Sequence, residues 1–246
     1  MCTLAVAFQT DRRWPLLVAA NRDERLGRAA EGWAVREPAR GPRFAAPLDL
    51  VGGGTWIGVS AHGLFAALTN YHAAGSAFPD RSRRSRGELV VRMLAHRDAA
   101  AAREELAGGD AGRYNPFHLV VADAARAILW RYDGERSQLS DLGPGLHVVT
   151  ESDADGRGPR AELVRARWPL DPEPARLREV LVQHGRSLGD ATCIHLEHRD
   201  YGTRSATVLR LAPALSASDL WVADGRPCTS PFEDRSHLLA ALARSA

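Results

Sequence analysis

The sequence contains no lysine, since all of its 32 basic residues are arginine. This absence excludes a Schiff-base lysine and the lysine of a Walker phosphate-binding loop. Cysteine is scarce as well, with only Cys2, Cys193 and Cys228 spread along 246 residues. Three scattered cysteines are too few for a disulfide framework or a four-cysteine zinc site. The sequence therefore argues against a disulfide-stapled scaffold and against lysine-based catalysis.

Long apolar runs and blocks of one charge are also missing. No apolar run approaches the roughly 18 residues that a membrane-spanning helix needs. Asp11, Arg12 and Arg13 interrupt the first twenty residues, which is unlike a signal peptide. We therefore expect a cytoplasmic protein with no integral membrane segment. The formal net charge is only +2, so nucleic acid is not expected as a partner.

Short apolar strands come early in the chain, and helices come later. The pattern predicts hairpins within 4–20, 56–68 and 117–132, and further strands at 145–150, 192–195, 207–211 and 220–222. It predicts helices over 88–106, 159–168 and 172–188 and from 232 onward, with a long loop over 27–54. This order indicates an α+β fold rather than a Rossmann fold. No repeat or linker is evident, so residues 1–246 are predicted to form a single domain.

The second residue is the first candidate for chemistry. Removal of Met1 would make Cys2 the amino-terminal residue, with a thiol and a free α-amine on the same residue. The amine titrates at about pH 8 and the thiol at about pH 8.5. The amine can therefore act as the base for its own side chain. A small residue after Met1 also occurs by chance, and Cys2 alone leaves that alternative open.

The first hairpin gives Cys2 polar neighbours. If its strands pair antiparallel around the turn at 9–15, Cys2 lies opposite Arg22 or Asp23. The polar run NRDE at 21–24 then lies beside the thiol. A carboxylate there can hold a protonated amine, and an arginine can lower the pKa of the thiol. A solvated charge cluster at the end of a strand explains the same pattern equally well.

Asn70 ends the second hairpin and is a third candidate. An asparagine amide at a strand end can donate a hydrogen bond to an oxyanion, although asparagine is common wherever strands stop. The GGG run at 52–54 is not followed by a Walker lysine or a helix. It is better explained by a close approach of the backbone before the next strand.

A cysteine and two histidines near residue 195 suggest a metal or haem site. Cys193 and His195 alternate along a predicted strand and share one face, so both could ligate the same ion, with His198 nearby. A buried cysteine and a hydrogen-bonded core histidine are the more usual explanation. We therefore predict no metal ligand from the sequence. Cys228 is expected to be an incidental loop residue, and the arginine-rich run 81–86 a solvated loop.

Six short motifs occur in order along the chain, and together they resemble one family. They are MC at 1–2, NRDE at 21–24, GGTWIG at 53–58, ALTN at 67–70, YNPF at 114–117 and YGTRS at 201–205. The set is similar to that of the NRDE family, also called the transport-and-Golgi-organisation type 2 family. The resemblance extends from residue 1 to about 211. It implies an association with Golgi organisation or haem trafficking, which are ascribed to the eukaryotic members.

The NRDE family in turn resembles the N-terminal-nucleophile hydrolases of the choloylglycine hydrolase and penicillin V acylase group. That resemblance implies an αββα sandwich of antiparallel sheets and amide hydrolysis by an N-terminal cysteine. Cys2 would be the nucleophile, Asp23 the contact of its amine, and Asn70 an oxyanion-hole donor. Arg204 would correspond to a second active-site arginine.

Two positions depart from the hydrolase pattern. The hydrolases have an arginine three residues before their aspartate, where this chain has Ala20, while Arg22 directly precedes Asp23. They also have an asparagine after a mid-chain Val-x-Thr strand, where this chain has Glu151. An ionised carboxylate cannot donate a hydrogen bond to an oxyanion. An altered site is the expected consequence.

Two functions follow as hypotheses. The first is a cysteine amidohydrolase or acyltransferase that acts on an amide or thioester of a small molecule, with Cys2, Arg22, Asp23 and Asn70 as catalytic residues. The second is a binding or trafficking protein that holds haem or an acyl ligand in the same pocket without catalysis. In either case the remaining motif residues are expected to contact the ligand; these are Asn21, Glu24, Trp56 and Arg204. No resident cofactor is expected.

Overall fold

The computed structural model describes residues 2–39, 41–71, 79–154, 156 and 158–244. Its strands are β1 (Cys2–Phe8), β2 (Leu16–Arg25), β3 (Ala30–Arg36), β4 (Phe44–Asp49), β5 (Ile57–Ser60), β6 (Phe65–Asn70), β7 (Phe117–Ala122), β8 (Ala127–Tyr132), β9 (Ser137–Leu142), β10 (Gly145–Thr150), β11 (His195–Leu196), β12 (Tyr201–Leu211), β13 (Asp219–Ala223) and β14 (Glu233–Asp234). Its α-helices are α1 (Gly87–Leu94), α2 (Ala99–Ala107), α3 (Pro159–Arg167), α4 (Pro174–Leu181) and α5 (Ser236–Ala243).

The strands form two antiparallel sheets. The first sheet has the order β10-β1-β2-β12-β13-β14, and β11 pairs with the beginning of β12. The second runs in chain order from β3 to β9. The two amino-terminal strands therefore lie in the middle of the first sheet, where β10 and β12 flank them.

Three apolar clusters define the layers. The cluster between the sheets contains Val6 and Val18 of the first sheet and Ile57 and Phe65 of the second. Helices α1 and α2 pack on the outer face of the second sheet, for example through Met93. Helices α3 and α4 pack on the outer face of the first sheet. Two sheets between two helical layers make the αββα sandwich that the resemblance implied.

Several predicted elements are confirmed, but the long loop predicted over 27–54 is wrong. That segment contains β3 and β4. Strand β3 lies at the edge of its sheet and is largely half-exposed. An edge strand needs no continuous apolar run, and Pro47 and the neighbouring glycines further obscure the pattern. Strand β9 was missed for the same reason, since it forms the opposite edge of that sheet.

Three predicted helices or strands have different bounds. The helix predicted over 88–106 is divided into α1 and α2, because the Asp98 side chain accepts a hydrogen bond from the Ala101 N–H and begins a new helix. The helix predicted over 172–188 ends earlier, at Leu181. The strand predicted at 192–195 contributes only His195 to β11. None of the helices in the described ranges is long and apolar enough to cross a membrane.

Candidate active site

The first hairpin places Cys2 directly opposite Arg22, which is one of the two partners that the sequence allowed. The register follows from the turn at 9–15, which places Phe8 opposite Leu16. The sequence predicted that the second strand would end at the polar run. Strand β2 instead continues through that run to Arg25. The polar residues stay in the strand because β12 pairs with them on the other side.

The Cys2 thiol faces the space between the sheets. Its sulfur lies 3.8 Å from the main-chain oxygen of Asp23. Ala20, Ile57 and Ala67 line the narrow crevice around it, which has a volume of about 20 Å³. That volume holds about one water molecule. Burial raises the pKa of the Cys2 thiol, and the nearby carboxylates add to the rise.

Asp23 is buried with an incomplete set of hydrogen bonds. It is 4% exposed, and its Oδ1 accepts a hydrogen bond of 2.5 Å from the Thr203 hydroxyl. Its Oδ2 has no hydrogen-bond partner among the described residues. Burial raises the pKa of Asp23 to about 6, against the opposing effects of Thr203 and Arg160. A buried carboxylate oxygen without a partner costs free energy unless a donor reaches it.

Arg22 brings a positive charge to the crevice that contains the thiol. Its guanidinium lies 4.1 Å from the centre of the Trp56 ring, in a cation–π contact. Glu24 holds the same guanidinium from the other side at 3.8 Å. Burial lowers the pKa of Arg22, and the Cys2 thiolate and Glu24 partly offset that effect. The charge of Arg22 therefore favours the thiolate form of Cys2.

A wider cleft adjoins the crevice and shares Arg22 and Trp56 with it. The cleft has a volume of about 400 Å³, and Trp33, Arg204 and Arg226 line it further. Arg204 lies in a β-bulge of β12, between the pairs Thr203–Asp23 and Ser205–Arg22. A bulge re-aims the side chain of its extra residue. Arginines and tryptophans together suit an anionic ligand with an apolar body.

Three predicted site residues are placed less directly beside the thiol. Asn70 is half-buried at the end of β6, which packs near β1, but no hydrogen bond within the described residues joins it to Cys2. The Asn21 amide donates hydrogen bonds of 2.8 Å to the carbonyls of Leu181 and Thr192. Asn21 therefore ties β2 to the helical layer, and it also lines the crevice beside Cys2. Glu24 forms ion pairs with Arg22 and Arg28, and it is not among the described residues that line the wider cleft.

The two departures from the hydrolase pattern have different consequences. Ala20 lines the crevice on the same strand face as Arg22, so Arg22 brings a guanidinium to that face from two residues further along. Glu151 is bound by Arg160 of α3 at 3.0 Å, and both side chains are buried. This ion pair keeps Glu151 an acceptor. The ion pair lies close enough to the catalytic candidates for its charges to affect the pKa values of Cys2 and Asp23.

Sequence reasoning missed Arg86. The run 81–86 was expected to be solvated, but Arg86 is half-buried and donates a hydrogen bond of 2.9 Å to the Pro116 carbonyl. Burial lowers the pKa of Arg86 to about 10, against the charges of Cys2 and Glu24. The YNPF motif is the part of the sequence that relates to the position of Arg86. Its Asn115 exchanges two hydrogen bonds with the main chain of Asp80 and so fixes the beginning of this arginine-rich run.

A separate group of residues lies near the beginning of β12. His184, Cys193, His195 and Cys228 each bring one nitrogen or sulfur atom within 4.8 Å of the others. Cys228 is thus not the isolated loop residue that the sequence suggested. The alternation of Cys193 and His195 was visible in the sequence, but nothing in the sequence pattern indicated that His184 and Cys228 join them.

Comparison with known proteins settles the family. The model of the Transport and Golgi organisation 2 family matches residues 1–170. The chain belongs to this family. It is 28% identical over 250 residues to the Transport and Golgi organization protein 2 homolog of Bos taurus, in an alignment that covers 85% of this chain and 88% of the relative. The NRDE resemblance is thereby confirmed.

Solved structures confirm the fold of this Transport and Golgi organisation 2 family member. Penicillin V acylase from Agrobacterium tumefaciens superposes with a TM-score of 0.56 at 15% identity, covering 97% of this chain and 88% of the acylase. The C2A mutant of conjugated bile acid hydrolase from Clostridium perfringens gives a TM-score of 0.52 at 10% identity, covering 95% and 96%. The fold is therefore that of the N-terminal-nucleophile hydrolases.

Proposed function

We propose that this protein is a cysteine amidohydrolase that acts on small acyl-amides or thioesters through an N-terminal Cys2. The single observation that carries the proposal is the buried Asp23 carboxylate, which has one oxygen without a hydrogen-bond partner among the described residues and lies close enough to Cys2 for its charge to raise the pKa of the thiol. Loss of Met1 would create at Cys2 the donor that this oxygen lacks. The names of the two superposed structures describe hydrolysis of conjugated bile acids and acylase action on penicillin V, which is chemistry of the same class.

The strand geometry suits such an amine. Cys2 and Arg22 are cross-strand partners whose side chains point between the sheets, whereas Asp23 pairs with Thr203 and points to the outer face. The main chain at Cys2 lies between these two faces. An α-amine there is attached to the same Cα as the thiol and lies on the side from which Asp23 can accept its hydrogen bond.

The proposed reaction begins with transfer of the thiol proton to the α-amine. The Cys2 sulfur attacks the substrate carbonyl, and a carbon–sulfur bond forms. The carbon–nitrogen bond then breaks, and the leaving amine takes the proton back from the α-ammonium. Water attacks the resulting thioester, which releases the acid and restores the thiol. Asp23 stabilises the transient ammonium, and Arg22 stabilises the thiolate.

Asn70 is proposed as an oxyanion donor. One such donor is worth about 3–4 kcal/mol in other enzymes. Because Glu151 is already bound by Arg160, it cannot supply a second donor. Main-chain N–H groups near Cys2 would complete the oxyanion site. We also propose that residues 1–246 act as one domain, since both sheets contribute residues to the crevice.

The cleft favours a particular substrate class. Arg22, Arg204 and Arg226 offer positive charge, and Trp33 and Trp56 offer apolar surface. An acyl group with a carboxylate or phosphate at its far end would place its scissile bond toward Cys2. The same features support the second candidate, a haem or acyl-ligand carrier, because haem also combines an apolar ring with carboxylates.

The test compares the wild-type protein with Cys2→Ala and Cys2→Ser on a panel of anionic and neutral acyl-amides. Intact-mass measurement first determines whether Met1 is absent. We expect loss of Met1, hydrolysis by the wild type, and loss of turnover in Cys2→Ala with the folded circular dichroism spectrum retained. Turnover that survives in Cys2→Ala would refute the hydrolase. Absent turnover together with saturable micromolar haem binding would favour the carrier.

A further inference from the structure

Four potential metal ligands converge outside the proposed active site. The sulfurs of Cys193 and Cys228 are 3.6 Å apart. Nε2 of His195 lies 3.5 Å from the first sulfur and 3.3 Å from the second. The His184 ring packs edge to face with that of His195, and the ring centroids are 4.9 Å apart. The ligand atoms of all four residues lie within 4.8 Å of one another.

The distances agree with a tetrahedral zinc site. A zinc–sulfur bond of about 2.3 Å and a zinc–nitrogen bond of about 2.0–2.1 Å place two sulfurs about 3.8 Å apart and a sulfur about 3.6 Å from a nitrogen. The three separations among Cys193, Cys228 and His195, which are 3.6, 3.5 and 3.3 Å, are within a few tenths of an ångström of these values. Two thiolates and two imidazoles also form a common ligand set of structural zinc.

His195 has the second contact that a metal-bound imidazole usually has. Its Nε2 faces both sulfurs, while its Nδ1 lies 3.5 Å from the Glu197 carboxylate. Arg226 holds that carboxylate at 2.7 Å. A carboxylate on the far ring nitrogen fixes the tautomer that offers Nε2 to a metal and strengthens it as a ligand. This arrangement is not needed by a histidine that merely fills space beside two thiols.

We propose that His184, Cys193, His195 and Cys228 bind one zinc ion. Binding exchanges the two thiol protons, which leave to solvent, for two zinc–sulfur bonds, with no change of oxidation state. Cys193 is buried, but His184 is exposed and Cys228 half-buried, so the ion has an entry path. The site departs from the sequence-based expectation that no residue of this chain ligates a metal.

The position of the site indicates a structural role. His184 follows α4, Cys193 and His195 precede β12, and Cys228 follows β13. One ion would therefore join three segments that no disulfide connects. Ile194, between two of the ligands, donates its N–H to the Thr203 hydroxyl that in turn contacts Asp23. Zinc would thus hold fixed the segment that supports the Asp23 carboxylate.

The test measures metal content and coordination directly. The full-length protein is stripped with a chelator under reducing conditions, reloaded with Zn²⁺, desalted and analysed by mass spectrometry for metals. We expect about one zinc per chain, and much less in Cys193→Ser and Cys228→Ser. Cys2→Ser is the matched control and should retain zinc, because Cys2 is the third cysteine and lies outside the cluster. Titration with Co²⁺ should give the strong visible bands of tetrahedral cobalt and a sulfur-to-cobalt charge-transfer band.

Three outcomes would overturn the proposal. One is a wild-type protein that retains no zinc or gives only the weak spectrum of six-coordinate cobalt. Another is equal zinc content in the wild type and both cysteine variants. The last is a Cys193–Cys228 disulfide in the protein as purified without reductant, seen as the loss of two hydrogen masses. The cobalt spectrum of the wild type decides the case even if the variants fail to fold, and no readout depends on hydrolase activity.

Discussion

The Thr203 hydroxyl donates a hydrogen bond of 2.5 Å to Oδ1 of Asp23, and Oδ2 of the same carboxylate has no hydrogen-bond partner among the described residues. This half-satisfied carboxylate lies beside the first residues of β1. Because burial raises its pKa to about 6, Asp23 changes its charge within the range in which the protein can be assayed.

The first prediction is a loss of hydrolysis below about pH 6. The proposed mechanism needs Asp23 ionised, since only the carboxylate stabilises the α-ammonium. A raised pKa keeps Asp23 protonated up to about pH 6, so kcat/KM should be full above that value and fall as the pH drops below it. Asp23→Asn should lower kcat/KM by about 100-fold or more and remove this acid limb. An unchanged pH profile in Asp23→Asn would exclude Asp23 from the mechanism.

The second prediction concerns the thiol pKa. Arg22 is 7% exposed and contacts Trp56 at 4.1 Å, so its charge acts on Cys2 through a water-poor region. Arg22→Met should raise the pKa of the Cys2 thiol further, because the thiolate loses a neighbouring positive charge, and should thus reduce its thiolate fraction at neutral pH. The pH dependence of alkylation at the Cys2 peptide measures this pKa. Arg13→Met is the control, because Arg13 is exposed and pairs with Asp11.

The alkylation experiment on Arg22→Met distinguishes two effects of Arg22 on the Cys2 thiol, its charge and its blocking of the alkylating reagent. A faster alkylation rate in Arg22→Met at every pH, with the midpoint unchanged, would mean that Arg22 only blocks the crevice. A midpoint shifted upward would mean that its charge stabilises the thiolate. Only the second result agrees with the proposed role.

The third prediction concerns the buried ion pair between Glu151 and Arg160. Glu151→Gln takes away an anionic partner of the buried Arg160 guanidinium, and breaking a buried ion pair typically costs about 3–5 kcal/mol. Glu151→Gln should therefore lower the free energy of unfolding by a few kcal/mol, as measured by urea denaturation. The double variant Glu151→Gln/Arg160→Leu should recover part of that loss, because no charge is then left buried. A stability of Glu151→Gln equal to that of the wild type would show that the pair contributes nothing.

The fourth prediction concerns substrate charge. Arg204 reaches the cleft from the bulge of β12. Arg204→Gln should raise KM about tenfold for an acyl-amide with a carboxylate tail and leave kcat nearly unchanged, because the contact is remote from the reacting carbonyl. KM for a neutral amide of the same length should not change. Equal effects on both substrates would argue for a general disturbance of the cleft instead.

The amino-terminal half of the site was predictable because it depends on local pairing. The turn at 9–15 fixes the register of a single hairpin, and that register brings Cys2 opposite Arg22. The resemblance of short motifs then supplied the αββα arrangement. The polar residues after Ala20 gave no prediction that β2 continues to Arg25. They remain in the strand because the distant strand β12 pairs with them.

The remaining features depend on contacts between distant segments. Arg86 reaches the neighbourhood of Cys2 only because Asn115 fixes the loop before α1. The proposed zinc ligands come from three segments, and Cys228 lies 35 residues beyond Cys193. Strand β3 has no apolar signature because it lies at a sheet edge. No local pattern in one sequence encodes such contacts.

The most direct measurement is to look for an acyl group on the Cys2 sulfur. The protein is incubated briefly with an activated acyl ester, quenched in acid and digested, and the peptides are identified by mass spectrometry. We predict an amino-terminal peptide that begins at Cys2 and carries the acyl mass as a hydroxylamine-sensitive thioester, with no acylation at Cys193 or Cys228. A peptide that retains Met1 and remains unmodified would contradict the account.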